Sequence, residues 1–267
     1  MSDKSRELET AIQAAVEAGK IIEKYFETDI LREMKDDDSI VTHADKDAED
    51  AIKKIITATF PGHSILGEET GLTENGSEYK WYIDPIDGTR NFSNGIPFFA
   101  VSIALLKNDE PLIGVVYNPT LHSLFYAEKG KGAFWNHQKM SVSKDDKNRC
   151  IVTISSGRKK EDIALRRALM HDLPGKISSV RDFGCSALDL AYVARGNMEV
   201  VSHLGLNTYD FAAGVLLVEE AGGMVTDLEG KPWKFPGCYY IASNGVFHQT
   251  IVDEIKSQKT KLGIQSQ

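Results

Sequence analysis

The sequence predicts a mixed fold, with an N-terminal α+β half followed by a C-terminal α/β half. Three observations carry this. Apolar residues recur at helical spacing near the start of the chain. Three apolar runs between residues 101 and 127 stand at hairpin spacing. Beyond residue 150, short apolar runs alternate with amphipathic stretches, the pattern of helices covering a sheet. The polar, charged stretch 141–149 separates the two patterns, so the halves are taken as residues 1–142 and 143–267.

Leu8, Ile12, Ala15, Val16, Gly19, Ile22 and Phe26 share one helical face, which predicts a first helix over residues 4–27. A charged loop follows, then a short strand at Ile40 and Val41. Thr42 is a natural N-cap for a second helix, whose face is Ala48, Ile52, Ile55 and Ile56. Pro61 and Gly62 break it. Residues 64–67 read as a strand, 71–78 as a polar loop and 80–83 as a buried strand. Strands over 101–106, 112–117 and 124–127 follow, then an edge strand around 130–136. In the second half, strands are expected at 151–155, 177–180, 198–201, 224–227 and 239–242. Helices are expected at 161–169, 187–194, 211–221 and 246–255.

The balance of 31 Lys and Arg against 39 Asp and Glu gives a net charge of −8. Such a surface repels nucleic acid and anionic membranes, and neither is expected as a partner. Cys150, Cys185 and Cys238 lie far apart, form no CxxC pair and predict free thiols in a reducing cytoplasm. The N-terminal residues show no signal-peptide apolar region, and no apolar run reaches transmembrane length.

The chemistry concentrates in residues 80–92. The run Trp81-Tyr82-Ile83 suits a buried strand. Pro85 lacks an N–H, which predicts that the strand stops there. Asp84 and Asp87 then project from the strand end. Two crowded carboxylates repel unless a proton or a cation lies between them. Hard oxygen donors suit Mg²⁺, Ca²⁺ or Mn²⁺. Gly88 permits close approach of a ligand, and Thr89 adds a hydroxyl.

Taken singly, each further acid has a plain explanation. Glu68 and Glu69 follow a strand, and only one of two adjacent side chains points inward. Asp210 opens an apolar helix and complements its dipole. Asp45 stands three residues after Thr42, where a capping box places an acid. Together they put carboxylates at strand ends and helix starts in both halves, without clustered His or Cys. That pattern favours hard divalent cations over zinc.

Gly67-Glu68-Glu69, Asp84-Pro85-Ile86-Asp87-Gly88-Thr89 and Tyr209-Asp210-Phe211-Ala212-Ala213-Gly214 together resemble the inositol monophosphatase family of metal-dependent, lithium-sensitive phosphatases. The resemblance covers nearly the whole chain. It implies a layered αβαβα sandwich of the sugar-phosphatase type and a homodimer. It implies two or three Mg²⁺ ions held by Glu68, Asp84, the carbonyl of Ile86, Asp87 and Asp210. By the same resemblance, Asp45, Glu68 and Thr89 act on the attacking water, and the N–H groups of Gly88 and Thr89 grip the phosphate.

The substrate wall departs from the family pattern. The segment Gly184-Cys185-Ser186-Ala187 stands where Ser or Thr then Ala is usual after the glycine. His203 occupies a position, seven before Asp210, that is often glutamate. Ser186 and His203 are expected on that wall with Asp87 and Asp210, the histidine bonding a hydroxyl or, when protonated, a second phosphate. The expected reaction is Mg²⁺-dependent hydrolysis of a small polyol or sugar phosphate, with inositol 1-phosphate first. Fructose 1,6-bisphosphate, histidinol phosphate and a 3′(2′),5′-bisphosphate nucleotide are the alternatives. A non-catalytic binding scaffold is the alternative of another class.

Overall fold

The computed structural model describes residues 4–26, 28, 32–34, 40–144 and 150–265. The acids Asp36, Asp37 and Asp38, read as a charged loop, lie outside the described residues.

The first half contains helix α1 (Arg6–Tyr25), strands β1 (Arg32–Met34) and β2 (Ile40–Thr42), and helix α2 (His43–Thr59). Strands β3 (Ser64–Gly67), β4 (Gly71–Thr73) and β5 (Tyr79–Asp87) lead into the short helix α3 (Thr89–Ser93). A meander follows: β6 (Ala100–Lys107), β7 (Glu110–Asn118), β8 (Ser123–Glu128), β9 (Gly132–Trp135) and β10 (Gln138–Lys139). The second half runs β11 (Ile151–Ser156), α4 (Lys160–Asp172), β12 (Ser179–Arg181), α5 (Ser186–Ala194), β13 (Val200–Leu204) and α6 (Thr208–Glu220). It closes with β14 (Met224–Thr226), β15 (Tyr239–Ser243) and α7 (His248–Leu262).

Strands β3 to β10 form an eight-stranded sheet in the order β10-β9-β8-β7-β6-β5-β3-β4, with only β3 and β5 parallel. The second sheet has the order β12-β11-β13-β15-β14. Its β11 runs parallel to both neighbours, while β15 runs antiparallel to β13 and β14.

The layers follow from strand alternation. Trp81, Ile83, Ile103 and Val115 face α1 and α2 in one core. Tyr82, Ala104, Val116 and Phe125 face the opposite way, into a core shared with α5 and α6. Helix α6 touches β5 to β9 on one side and β14 and β15 on the other. Helices α4 and α7 cover the outer face of the second sheet. The result is the αβαβα sandwich that the family resemblance implied. Burial on both faces explains why β5 reads as an unbroken apolar run rather than an alternating one.

Two local expectations need correction. The stretch 71–78 is not all loop, because β4 adds an antiparallel edge to β3. Strand β5 also does not stop at Pro85. It continues to Asp87, and its pairing with β6 shifts register between Asp84 and Asp87. An irregular step leaves residues unpaired, so a proline without an N–H is tolerated there.

Candidate active site

The end of β5 opens into a cleft of about 610 Å³. Glu68, Asp84, Ile86, Asp87, Gly88, Thr89, Ser186 and Asp210 all line it. The register step in β5 aims Asp84 and Asp87 at this one space. Gly88 adopts a left-handed φ of 91° as it starts α3, which a side chain would resist.

Asp210 arrives from the other half as the third residue of α6, where it accepts the Asn207 N–H at 3.0 Å. Asp45 holds the same place in α2. Its Oδ2 accepts the Thr42 N–H at 2.8 Å and the Thr42 hydroxyl at 2.6 Å. Capping and site placement therefore coincide in both residues. Asp45 lies behind the cleft wall, with Oδ1 3.4 Å from Thr89 Oγ1. The Thr89 hydroxyl also donates to the Ile86 carbonyl at 3.0 Å.

The acids are crowded, and three of them are buried. Asp45 is 0 % exposed, Asp84 2 % and Asp87 9 %. Burial pushes Asp45 and Asp87 up to about 7. Burial raises Asp84 well above the usual carboxylate range, helped by the charges of Glu68, Asp87 and Asp210. Asp210 is raised in the same way, by burial and then by Asp87 and Glu68.

Asp87 has specific support that the sequence did not reveal. Its Oδ2 accepts the Ala187 N–H at 2.6 Å and the Cys185 thiol at 3.2 Å, both at the start of α5. No local pattern links positions 98 and 100 residues away. The far wall was also missed. Ser155, Ser156, Arg158 and Arg166 line it, with Arg166 paired to Asp182. The polar run after β11 was the available signal.

His203 is a correction. It is 0 % exposed and does not line the cleft. Strand β13 is buried along its whole length, and its register sets His203 opposite Tyr240, whose hydroxyl contacts Nδ1. Burial lowers the ring to about 3, so it stays neutral. Gly205, Leu206 and Asn207 form the wall in its place.

Among the described residues, no three His, Cys, Asp or Glu side chains already close around a common metal point. Asp84 accepts the Ile86 N–H at 3.0 Å, and the charges of Glu68, Asp87 and Asp210 crowd it. The donor set is nonetheless all oxygen, and its mutual repulsion is the kind that a hard divalent cation relieves. The residues fit such a cation.

The sequence matches the model of the inositol monophosphatase family over residues 3–260. The chain belongs to the inositol monophosphatase family. It is 35 % identical over 261 residues to a fructose-1,6-bisphosphatase/inositol-1-monophosphatase of Aquifex aeolicus, covering 96 % of this chain and 97 % of that one. It is 39 % identical over 228 residues to the Nus factor SuhB of Pasteurella multocida, covering 84 % and 85 %. The solved IMPase of Thermotoga maritima superimposes with a TM-score of 0.90 at 32 % identity, over 97 % of this chain and all of that one. Members of the inositol monophosphatase family are metal-dependent phosphatases, and this chain is a hydrolase of that kind. No helix among the described residues is long and apolar enough to cross a membrane.

Proposed function

We propose that this chain hydrolyses a small polyol or sugar phosphate monoester with Mg²⁺, and that inositol 1-phosphate is its first substrate. The carrying observation is the convergence of Glu68, Asp84, Asp87 and Asp210, with the Ile86 segment, on one cleft. Glu68, Asp84, the Ile86 carbonyl, Asp87 and Asp210 would hold two or three ions. Bound there, the ions neutralise phosphate charge, lower the pKa of water and stabilise the leaving alkoxide.

The chain's own groups do the rest. The N–H groups of Gly88 and Thr89 hold the phosphate at the start of α3. The Thr89 hydroxyl orients the attacking water, and Asp45, 3.4 Å behind it, takes up the proton with Glu68. Ser186 and Asp210 face the hydroxyls of the polyol. No nucleophilic side chain is required.

A specific observation favours a second substrate. Arg158 lines the far wall beside the Arg166–Asp182 ion pair, and this positive side of the cleft is where a second anionic group, as in fructose 1,6-bisphosphate, would lie. A non-catalytic scaffold is the reading of another class, suggested by the name of the Nus factor relative. The full set of acids favours catalysis. Cytoplasmic residence, lithium inhibition and a homodimer complete the proposal, resting on cysteine usage and the family resemblance.

The test is phosphate release from inositol 1-phosphate, fructose 1,6-bisphosphate, histidinol phosphate and 3′-phosphoadenosine 5′-phosphate, with Mg²⁺ and with chelator. Mg²⁺-dependent turnover of inositol 1-phosphate is expected. Turnover of the nucleotide alone would overturn the substrate assignment, and release unaffected by chelator would overturn the metal.

A further inference from the structure

Glu49 lies one helical turn beyond Asp45 on α2 and is 0 % exposed. Its carboxylate meets the turn between β3 and β4. Oε2 accepts the Glu69 N–H at 2.8 Å. Oε1 accepts the Thr70 N–H at 3.0 Å and the Thr70 hydroxyl. That hydroxyl accepts in turn from Lys53 Nζ at 2.8 Å.

One buried side chain thus holds the two residues that follow Glu68. On the preceding side, Gly67 leaves the room this requires, because a Cβ there would collide with the Glu49 carboxylate. Glu68 itself is tied to β5 by its N–H, which donates to the Ile83 carbonyl at 3.0 Å. A buried carboxylate is costly unless its oxygens are satisfied, and here three donors from a single turn satisfy them.

We propose that Glu49 is a positioning residue for Glu68, clamping the β3–β4 turn so that the Glu68 carboxylate is presented to the cleft. The inference rests on the reading of Glu68 as a cation ligand. Supports of this kind set the orientation of a ligand, and their removal costs metal affinity by roughly 10–100-fold.

The test uses Glu49→Gln and the gentler Thr70→Val, which removes only the hydroxyl. Mg²⁺ binding is measured by calorimetry, Mg²⁺ half-saturation and kcat by phosphate release, and amide exchange by mass spectrometry in chelator. Glu49→Gln is expected to weaken Mg²⁺ binding about 10-fold, with kcat at saturating Mg²⁺ within about threefold of wild type. Thr70→Val shifts Mg²⁺ binding less, in the same direction. In both, the amides of Glu69 and Thr70 exchange faster while those of β6 do not.

Unchanged Mg²⁺ affinity in folded variants overturns the proposal, as does a loss of kcat that excess Mg²⁺ does not restore. If Glu49→Gln does not fold, Thr70→Val decides on the same criteria. A wild-type protein without Mg²⁺-dependent phosphate release sinks the reading of Glu68. Unchanged exchange at Glu69 and Thr70 sinks the clamp by itself.

Discussion

The backbone N–H of Ala187 donates to Asp87 Oδ2 at 2.6 Å, joining residues 100 positions apart. The Cys185 thiol donates to the same oxygen. The start of α5 therefore occupies one oxygen of Asp87 and leaves the other for the cleft. Asp87→Asn puts an amide donor into this arrangement or removes a charge from the cleft. It is expected to lower Mg²⁺-dependent phosphate release by more than roughly 100-fold in a folded protein. Unchanged release would remove Asp87 from the mechanism.

Cys185→Ser keeps a donor, and Cys185→Ala does not. The serine variant should hold wild-type Mg²⁺ half-saturation within about threefold, and the alanine variant should raise it by about 10-fold. Equal behaviour of the two in a Mg²⁺ titration would show that the thiol only fills space.

The acid cluster predicts how pH acts on the metal-free protein. Burial raises Asp45 and Asp87 to about 7, and it raises Asp84 and Asp210 well above the usual carboxylate range. Above about pH 4 the unfolded chain releases protons that the folded one keeps, so these groups lower stability as pH rises through 7. Mg²⁺ favours the ionised acids and should release protons on binding. The rise in melting temperature on adding Mg²⁺ should therefore be larger at pH 8 than at pH 5. A rise independent of pH would contradict this origin.

His203 acts with the opposite sign. The unfolded ring takes a proton below about pH 6.5, while burial holds the folded ring neutral down to about 3. Its contribution is full above pH 6.5 and is lost as pH falls towards 3, amounting at most to about 5 kcal/mol. Denaturant unfolding in chelator from pH 7 to pH 4 should show a shallower loss for His203→Gln than for wild type. Parallel curves would refute the assignment.

Asn91 ties α3 to the segment before α5. Its Nδ2 donates to the carbonyls of Phe98 at 2.8 Å and Phe183 at 2.7 Å. Asn91→Ala leaves both acceptors short of a donor and should cost about 1–3 kcal/mol. Asn91→Asp sets a carboxylate against two carbonyls and should cost more. Thermal melts of the two variants check the order, and an aspartate variant as stable as wild type would count against these bonds.

Much of this was legible in the sequence because the signals are local. Trp81-Tyr82-Ile83 reads as a buried strand since both its faces are covered. Asp84, Asp87, Asp210 and Asp45 stand at strand ends and helix starts, positions that local capping and turn chemistry mark. Glu49 escaped notice because it lies inside an ordinary helical pattern, and its partners come from a turn about 20 residues away. Pro85 misled because its usual effect on a strand was absorbed by a register step.

By itself, the sequence determined the pattern of helices and strands and the identity of the acids, which follow from periodicity and short motifs, and the family, whose resemblance implied the layered fold. Only the tertiary structure decided which side chains share the cleft. It set Arg158 and Arg166 on the far wall, turned His203 into the core and hung Asp87 on α5. The reason is geometric. The facing of a strand residue and the donors around a buried carboxylate depend on which strand or helix packs beside it, and that neighbour is distant in the chain.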